Sequence, residues 1–228
     1  MSVLRAVVCD CDGVLIESVD VKTDAFRAVF APEGPDIAEL AVAYHLAHGG
    51  LSRVEKFRHV YAHVLRRPLS PETLHALCDQ FQRLVLARVL QAPWVAGALD
   101  ALAQLSRRGY ALCVISGTPE DELRLILEQR QILHYFEHVY GSPPGKVEQL
   151  KRLCADHGLR GDQVLMIGDA STDYEAACAV GAAFLARSRP EQSDGWKQLG
   201  VLAVPDARSW PDIVTQFEEH GTVTRGRA

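Results

Sequence analysis

The sequence carries no excess of charge of one sign that would call for a polyanionic partner. Its 24 lysines and arginines stand against 29 aspartates and glutamates, a formal net charge of −5 over 228 residues. Neither nucleic acid nor an anionic membrane is therefore an expected partner, and the surface charge serves solubility. Paired cysteine spacing is also lacking. Cys9, Cys11, Cys78, Cys113, Cys154 and Cys178 are scattered through hydrophobic segments. That spread excludes a disulfide or zinc framework and predicts reduced, mostly buried thiols of a cytoplasmic protein. Cys9 and Cys11 form a C-x-C with no second pair to finish a metal site, and strand alternation turns Cys9 away from the face that Asp10 presents. No segment reaches the ~18 to 20 apolar residues of a membrane span. A signal peptide is not expected, because the first apolar run is short and acids interrupt it at once. Internal repeats and low-complexity runs are absent as well. What remains is a globular composition, 48% hydrophobic and 23% charged, long enough for one large domain or a core with a smaller insert.

Apolar runs alternate with helical periodicity, which predicts an α/β fold: a doubly wound, Rossmann-like parallel sheet covered by helices. The runs are Val3 to Cys9, Tyr110 to Ile115, Val164 to Ile167, Ala182 to Ala186 and, more weakly, Val201 to Val204. Helix-like spacing occupies 97–108, 119–131, 146–157 and 172–180, with Gly109, Gly158 and Gly181 placed where three of these would end. Residues 19–91 break the alternation with four helical patterns at 20–31, 36–47, 51–66 and 71–90, punctuated by prolines and glycines. This block reads as an inserted all-α domain, 19–91, covering the mouth of a core made of 1–18 and 92–228. The polar tail from about Glu218 is expected to be poorly ordered.

Four polar signals follow strand-like runs, where a doubly wound sheet gathers its ligands. They are Asp10-x-Asp12 in "AVVCDCDGVLIES", Ser116-Gly117-Thr118, Lys146, and Gly168-Asp169 with Asp173 four residues on. Each alone has a plainer role: an aspartate, Ser116 or Thr118 can cap the next helix, and a lysine can be solvated. Together they supply what phosphoryl transfer to a carboxylate needs. A carboxylate can attack phosphorus, a divalent cation must offset the repulsion between the two anions, and Mg²⁺ suits Asp10 and Asp169 on neighbouring strands. Ser116 and Lys146 fit as holders of phosphoryl oxygens, and Asp12 can protonate the leaving oxygen and later activate water. Gly13 permits a sharp backbone departure that would aim Asp12.

The run of "DCDGVL", "SGT", "SPPGK" and "GDASTD", in that order, resembles the haloacid-dehalogenase-like hydrolase superfamily over essentially the whole chain. The resemblance implies Asp10 as nucleophile and Asp12 as general acid and base. It further implies Mg²⁺ held by the Asp10 carboxylate, the Asp12 main-chain carbonyl and Asp169, with Asp173 supporting the site. Ser116, with Gly117 and Thr118 beside it, would bind the phosphoryl group, and Lys146 would orient the nucleophile. The helical block resembles the family's inserted cap. Dehalogenating members lack the second aspartate of the first motif, so Asp12 favours phosphate chemistry. "GLSR", Gly50 to Arg53, resembles the specificity loop of the β-phosphoglucomutase-like branch, whose arginine contacts a substrate phosphate. Arg53 and Ser52 are therefore candidates for substrate binding, beside the plainer reading of Ser52 as a helix cap and Arg53 as solvated. At the place of the mutase's acid-pairing histidine stands Lys22, read as solvent-facing or cap-positioning. Lys22 and Lys56 match by type, but not by motif, the Schiff-base lysine of phosphonoacetaldehyde hydrolase. The expected protein is a monomeric or homodimeric Mg²⁺-dependent phosphatase for a small phosphorylated substrate. A sugar phosphomutase and a non-catalytic binding protein on the same fold are the alternatives.

Overall fold

The computed structural model describes residues 4–189 and 193–220. Six parallel strands form one sheet in the order β3-β2-β1-β4-β5-β6. They are β1 (Ala6–Cys9), β2 (Ala111–Pro119), β3 (His138–Ser142), β4 (Val164–Gly168), β5 (Ala183–Arg187) and β6 (Ala203–Val204). The strand order reverses between β1 and β4, which opens the crevice where such sheets bind ligands. Alternation divides the strands between two faces. Val7, Cys9, Leu112, Val114, Leu165 and Ile167 join one core, against α5 (Ala98–Arg107), α6 (Glu120–Gln129) and α10 (Trp210–His220). Ala6, Val8, Cys113, Ile115, Val164 and Met166 face α7 (Lys146–Asp156) and α8 (Ser171–Val180). Both faces are covered, so these strands read as continuous apolar runs.

Between β1 and α5 lie α1 (Val19–Phe30), α2 (Pro35–Ala47), α3 (Arg53–His59) and α4 (Pro71–Gln91), with no strand among them. Phe26 holds them together, its ring centroid 5.4 Å from Phe57 and 4.9 Å from Phe81. The segments entering and leaving this block pair with each other: Glu17 N donates to Pro93 O and Val95 N to Leu15 O. Arg130 donates to the carbonyls of Val89, Leu90 and Ala92, satisfying groups that α4 leaves open at its end, and its guanidinium lies 3.8 Å from the Trp94 ring centroid.

Several expectations need correction. The strand β3 has no counterpart in the predicted runs, because "HVYGS" holds a glycine and polar residues and sits at the sheet edge. β2 continues past Ile115 through Ser116, Gly117 and Thr118, so those residues lie within a strand and none of them caps α6. The predicted helix over 51–66 divides into α3 and a π-helical turn, Val60–Leu65. Glu218 and Glu219 are helical, whereas 221–228 and Val3 lie outside the described residues. Only three cysteines, Cys9, Cys11 and Cys113, are buried, and Cys178 is exposed. Gly109, Gly158 and Gly181 do take positive φ at helix ends.

Candidate active site

Asp10 continues β1, its amide donating to Ile167 O of β4 at 2.9 Å. Its Oδ1 accepts from Cys11 N at 2.7 Å, and its Oδ2 lies 2.8 Å from Lys146 Nζ. Lys146 opens α7, and its ammonium is also 2.6 Å from Asp173 Oδ1; both side chains are essentially enclosed. Asp173 Oδ2 accepts from Ala170 N at 3.2 Å. Asp169, just after β4, completes the group: one oxygen each from Asp10, Asp169 and Asp173 lies within 4.8 Å of the others. A Cβ on Gly13, at φ +77°, would collide with the Asp169 carboxylate. Glycine there serves both the backbone turn and this close approach.

The electrostatics follow from one ammonium among three carboxylates. Burial, only partly offset by Lys146, pushes Asp10 up to about 7, with Asp173 and Asp12 adding to the rise. Asp169 is driven well above the carboxylate range by burial and then by Asp10 and Asp173. Burial works against the charge on Lys146, but Asp10 and Asp173 overcome it and hold the ammonium above its usual value. Excess buried negative charge presented by oxygen atoms suits a hard divalent cation.

Asp12 is treated differently. Burial would raise it, yet the Lys22 ion pair and hydrogen bonds from Ser18 and Thr118 bring it down to about 2. Ser18 Oγ donates to Oδ1 at 2.6 Å, and Thr118 Oγ1 donates to Oδ2 at 3.0 Å while accepting from Lys22 Nζ at 2.7 Å. Lys22 is therefore not solvent-facing; from α1 it reaches across to bind the Asp12 carboxylate and Thr118. A folded pKa below the unfolded one stabilises above the unfolded value, and the gain is lost as pH falls through the folded value. The Lys22→Met variant should unfold at lower urea than the wild type near neutral pH. The gap should narrow from about pH 4 and close near pH 2. A gap independent of pH would show that the pair contributes nothing.

Ser116 is 1% exposed and faces the same centre, its Oγ accepting from Thr118 N at 3.2 Å. These residues floor a cavity of about 380 Å³, roofed by residues of α1 to α4 and the loop after α2. Lys146 and Asp173 stand behind that floor. The loop touches the core directly, since Thr172 Oγ1 donates to Gly49 O at 3.0 Å. Gly50, at φ +78°, leaves no room for a Cβ beside Thr172 and Lys146. Arg53 reaches the cavity but is not solvated: its guanidinium is 2.7 Å from Glu122 of α6, both side chains buried. Ser52 caps α3 in a reciprocal arrangement with Glu55 and lines a neighbouring cavity of about 600 Å³ instead. Ser18, His45 and Thr172 escape the sequence reading, because ordinary residue types at unremarkable spacings give no signal until the chain folds.

The haloacid dehalogenase-like hydrolase family matches residues 4–181. The phosphoglycolate phosphatase of Rhodospirillum rubrum is 30% identical over 220 residues, covering 89% of this chain and 87% of that protein. The phosphoglycolate phosphatase of Aliivibrio fischeri is 34% identical over a shorter stretch of 87 residues, 36% of this chain and 38% of that one. Among solved structures, the β-phosphoglucomutase of Clostridium difficile superposes with a TM-score of 0.75 at 14% identity, covering 96% of this chain and 98% of that one. Likeness at that identity concerns the fold, while the family match and the full-length relative concern the chemistry. The family match and the relative that spans most of both chains leave one assignment: the chain belongs to the haloacid dehalogenase-like hydrolase family, and within it is a phosphatase.

Proposed function

We propose that the protein is a Mg²⁺-dependent phosphomonoester hydrolase that works through an aspartyl-phosphate on Asp10. Its substrate is a small phosphorylated metabolite, a sugar phosphate or a phosphoglycolate-like compound. The observation that carries this reading is Asp10 itself, which continues a central strand with one oxygen on Lys146 and beside it Asp169, which has no ion-pair partner among the described residues. In this reading residues 19–91 are a cap over the core of 1–18 and 92–228.

Asp10 attacks phosphorus as the bond to the leaving alcohol breaks. Lys146 offsets charge on the phosphoryl group and keeps the nucleophile aimed, and Ser116, with Gly117 and Thr118, holds phosphoryl oxygens. Asp12 delivers a proton to the departing oxygen, then takes one from the water that cleaves the phospho-aspartate. Lys22 holds Asp12 as the carboxylate, the form the second step requires. Before the first step Lys22 and Thr118 must turn toward the substrate and release Asp12 to carry a proton. The oxygen donors fit the metal: the carboxylates of Asp10 and Asp169 with the Asp12 carbonyl would hold it. Both oxygens of Asp173 are already engaged by Lys146 and Ala170 N, so Asp173 supports the site from behind. When bound, Mg²⁺ neutralises the repulsion between carboxylate and phosphate.

Phosphate release from a panel of sugar phosphates, nucleotides and 2-phosphoglycolate should be strong for one compound, vanish with chelator and return with Mg²⁺. Release indifferent to chelator would overturn the metal assignment. Phosphate moving between sugar positions under a bisphosphate primer would make the protein a mutase.

A further inference from the structure

Two cations of α3 reach the cavity above Asp10, and among the described residues only Arg53 has a counter-ion. Arg53 is neutralised by Glu122 and lies 4.8 Å from the Phe81 ring centroid. Lys56 is equally buried, at 3% exposure, yet among the described residues it has no carboxylate at ion-pair distance. Its Nζ donates to His45 Nδ1 at 3.0 Å, with His45 O at 3.5 Å and the Phe26 ring centroid 5.7 Å away. With Lys56 as the ammonium, which has only donors to offer, Nδ1 accepts and the imidazole proton sits on Nε2. The imidazole stacks on Phe26 at 4.4 Å. Burial, then Lys56 and Lys22, push His45 down to about 3, so the ring is neutral and supplies no charge. Burial, then Lys22 and Lys146, pull Lys56 down to about 7, against Asp12 and Asp169. The groups facing this amine from the core and from α1 are thus already named, and none is a dedicated counter-ion.

We propose that Lys56, oriented by His45, receives a carboxylate on the leaving group, so that the substrate is the phosphomonoester of a short hydroxy acid. This rests on the phosphatase reading and sharpens it. A compact ammonium with one neutral neighbour matches a monoanion. A second phosphate calls for a guanidinium with charge to spare, and the charge of Arg53 is already balanced by Glu122. A sugar needs both donors and acceptors, whereas Phe26, Phe81 and Leu46 line this part of the cavity. The 380 Å³ must hold the phosphoryl group as well, which keeps the acid short.

The test compares 2-phosphoglycolate with ethyl phosphate, of similar length and without the carboxylate, and with glucose 1,6-bisphosphate. The wild type should prefer 2-phosphoglycolate. In Lys56→Met that preference, as a ratio of kcat/KM, should collapse by about 10²-fold, chiefly through KM, and Lys56→Arg should restore part of it. Removing a buried cation without a counter-ion should not lower the urea midpoint, which separates misfolding from lost recognition. An unchanged preference, or a wild type favouring either other ester, overturns the receptor and leaves the phosphatase standing. Should no ester be hydrolysed, the phosphatase reading fails. Calorimetric binding of 2-phosphoglycolate then decides: weaker binding to Lys56→Met supports the receptor, and equal binding overturns it.

Discussion

Replacing Asp10 with asparagine should lower phosphate release by about 10⁴-fold or more, because an amide oxygen cannot take up phosphorus as a carboxylate does. The same change should leave the fold intact. Asparagine has the size of aspartate, its Oδ1 can still accept from Cys11 N, and Lys146 keeps its bond to Asp173. It also removes one of three crowded carboxylates, so the thermal midpoint of the metal-free protein should equal or exceed that of the wild type. Initial rates by phosphate release, with scanning calorimetry on the same sample, check both halves. Turnover within tenfold of wild type would remove Asp10 as the nucleophile.

Lys146→Met should act on stability as well as rate. Lys146 is the counter-ion of two enclosed carboxylates, and stripping one partner from a buried ionic group costs about 3–5 kcal/mol. For a chain of this size that is a fall of roughly 10 °C in Tm. Adding Asp173→Asn should recover part of the loss, since one unpaired buried charge disappears with it. Recovery of the Tm but not of activity in the double variant would separate the two roles of this lysine. A Tm unchanged in Lys146→Met would mean that Asp10 and Asp173 are neutral without it.

The candidate site was legible because its polar residues follow apolar runs toward the carboxyl ends of the strands. Asp10, Ser116 and Asp169 each follow an apolar run, and a sheet built of such runs has one edge on which to present them. Lys146 was legible through its motif, although the strand preceding it, "HVYGS", was not; an edge strand needs no continuous apolar run to hold its place. The cavity roof was legible only as helices. Arg53 meets Glu122 across 69 residues and Lys56 meets His45 across two helices. No periodicity encodes which cation keeps a counter-ion, so the specificity arginine suggested by "GLSR" proved to be already paired.

The central position of β1 has a consequence for how the enzyme comes into being. Its two neighbours, β2 and β4, begin at Ala111 and Val164, more than a hundred residues downstream. Asp10 is thus synthesised well ahead of either strand that flanks it, and β1 has nothing to pair with until β2 has followed. Contacts of such long separation form late and slowly. A nascent or proteolysed chain that stops before Asp169 would carry Asp10 and Asp12 yet have no catalytic centre, so activity should appear only at the end of folding.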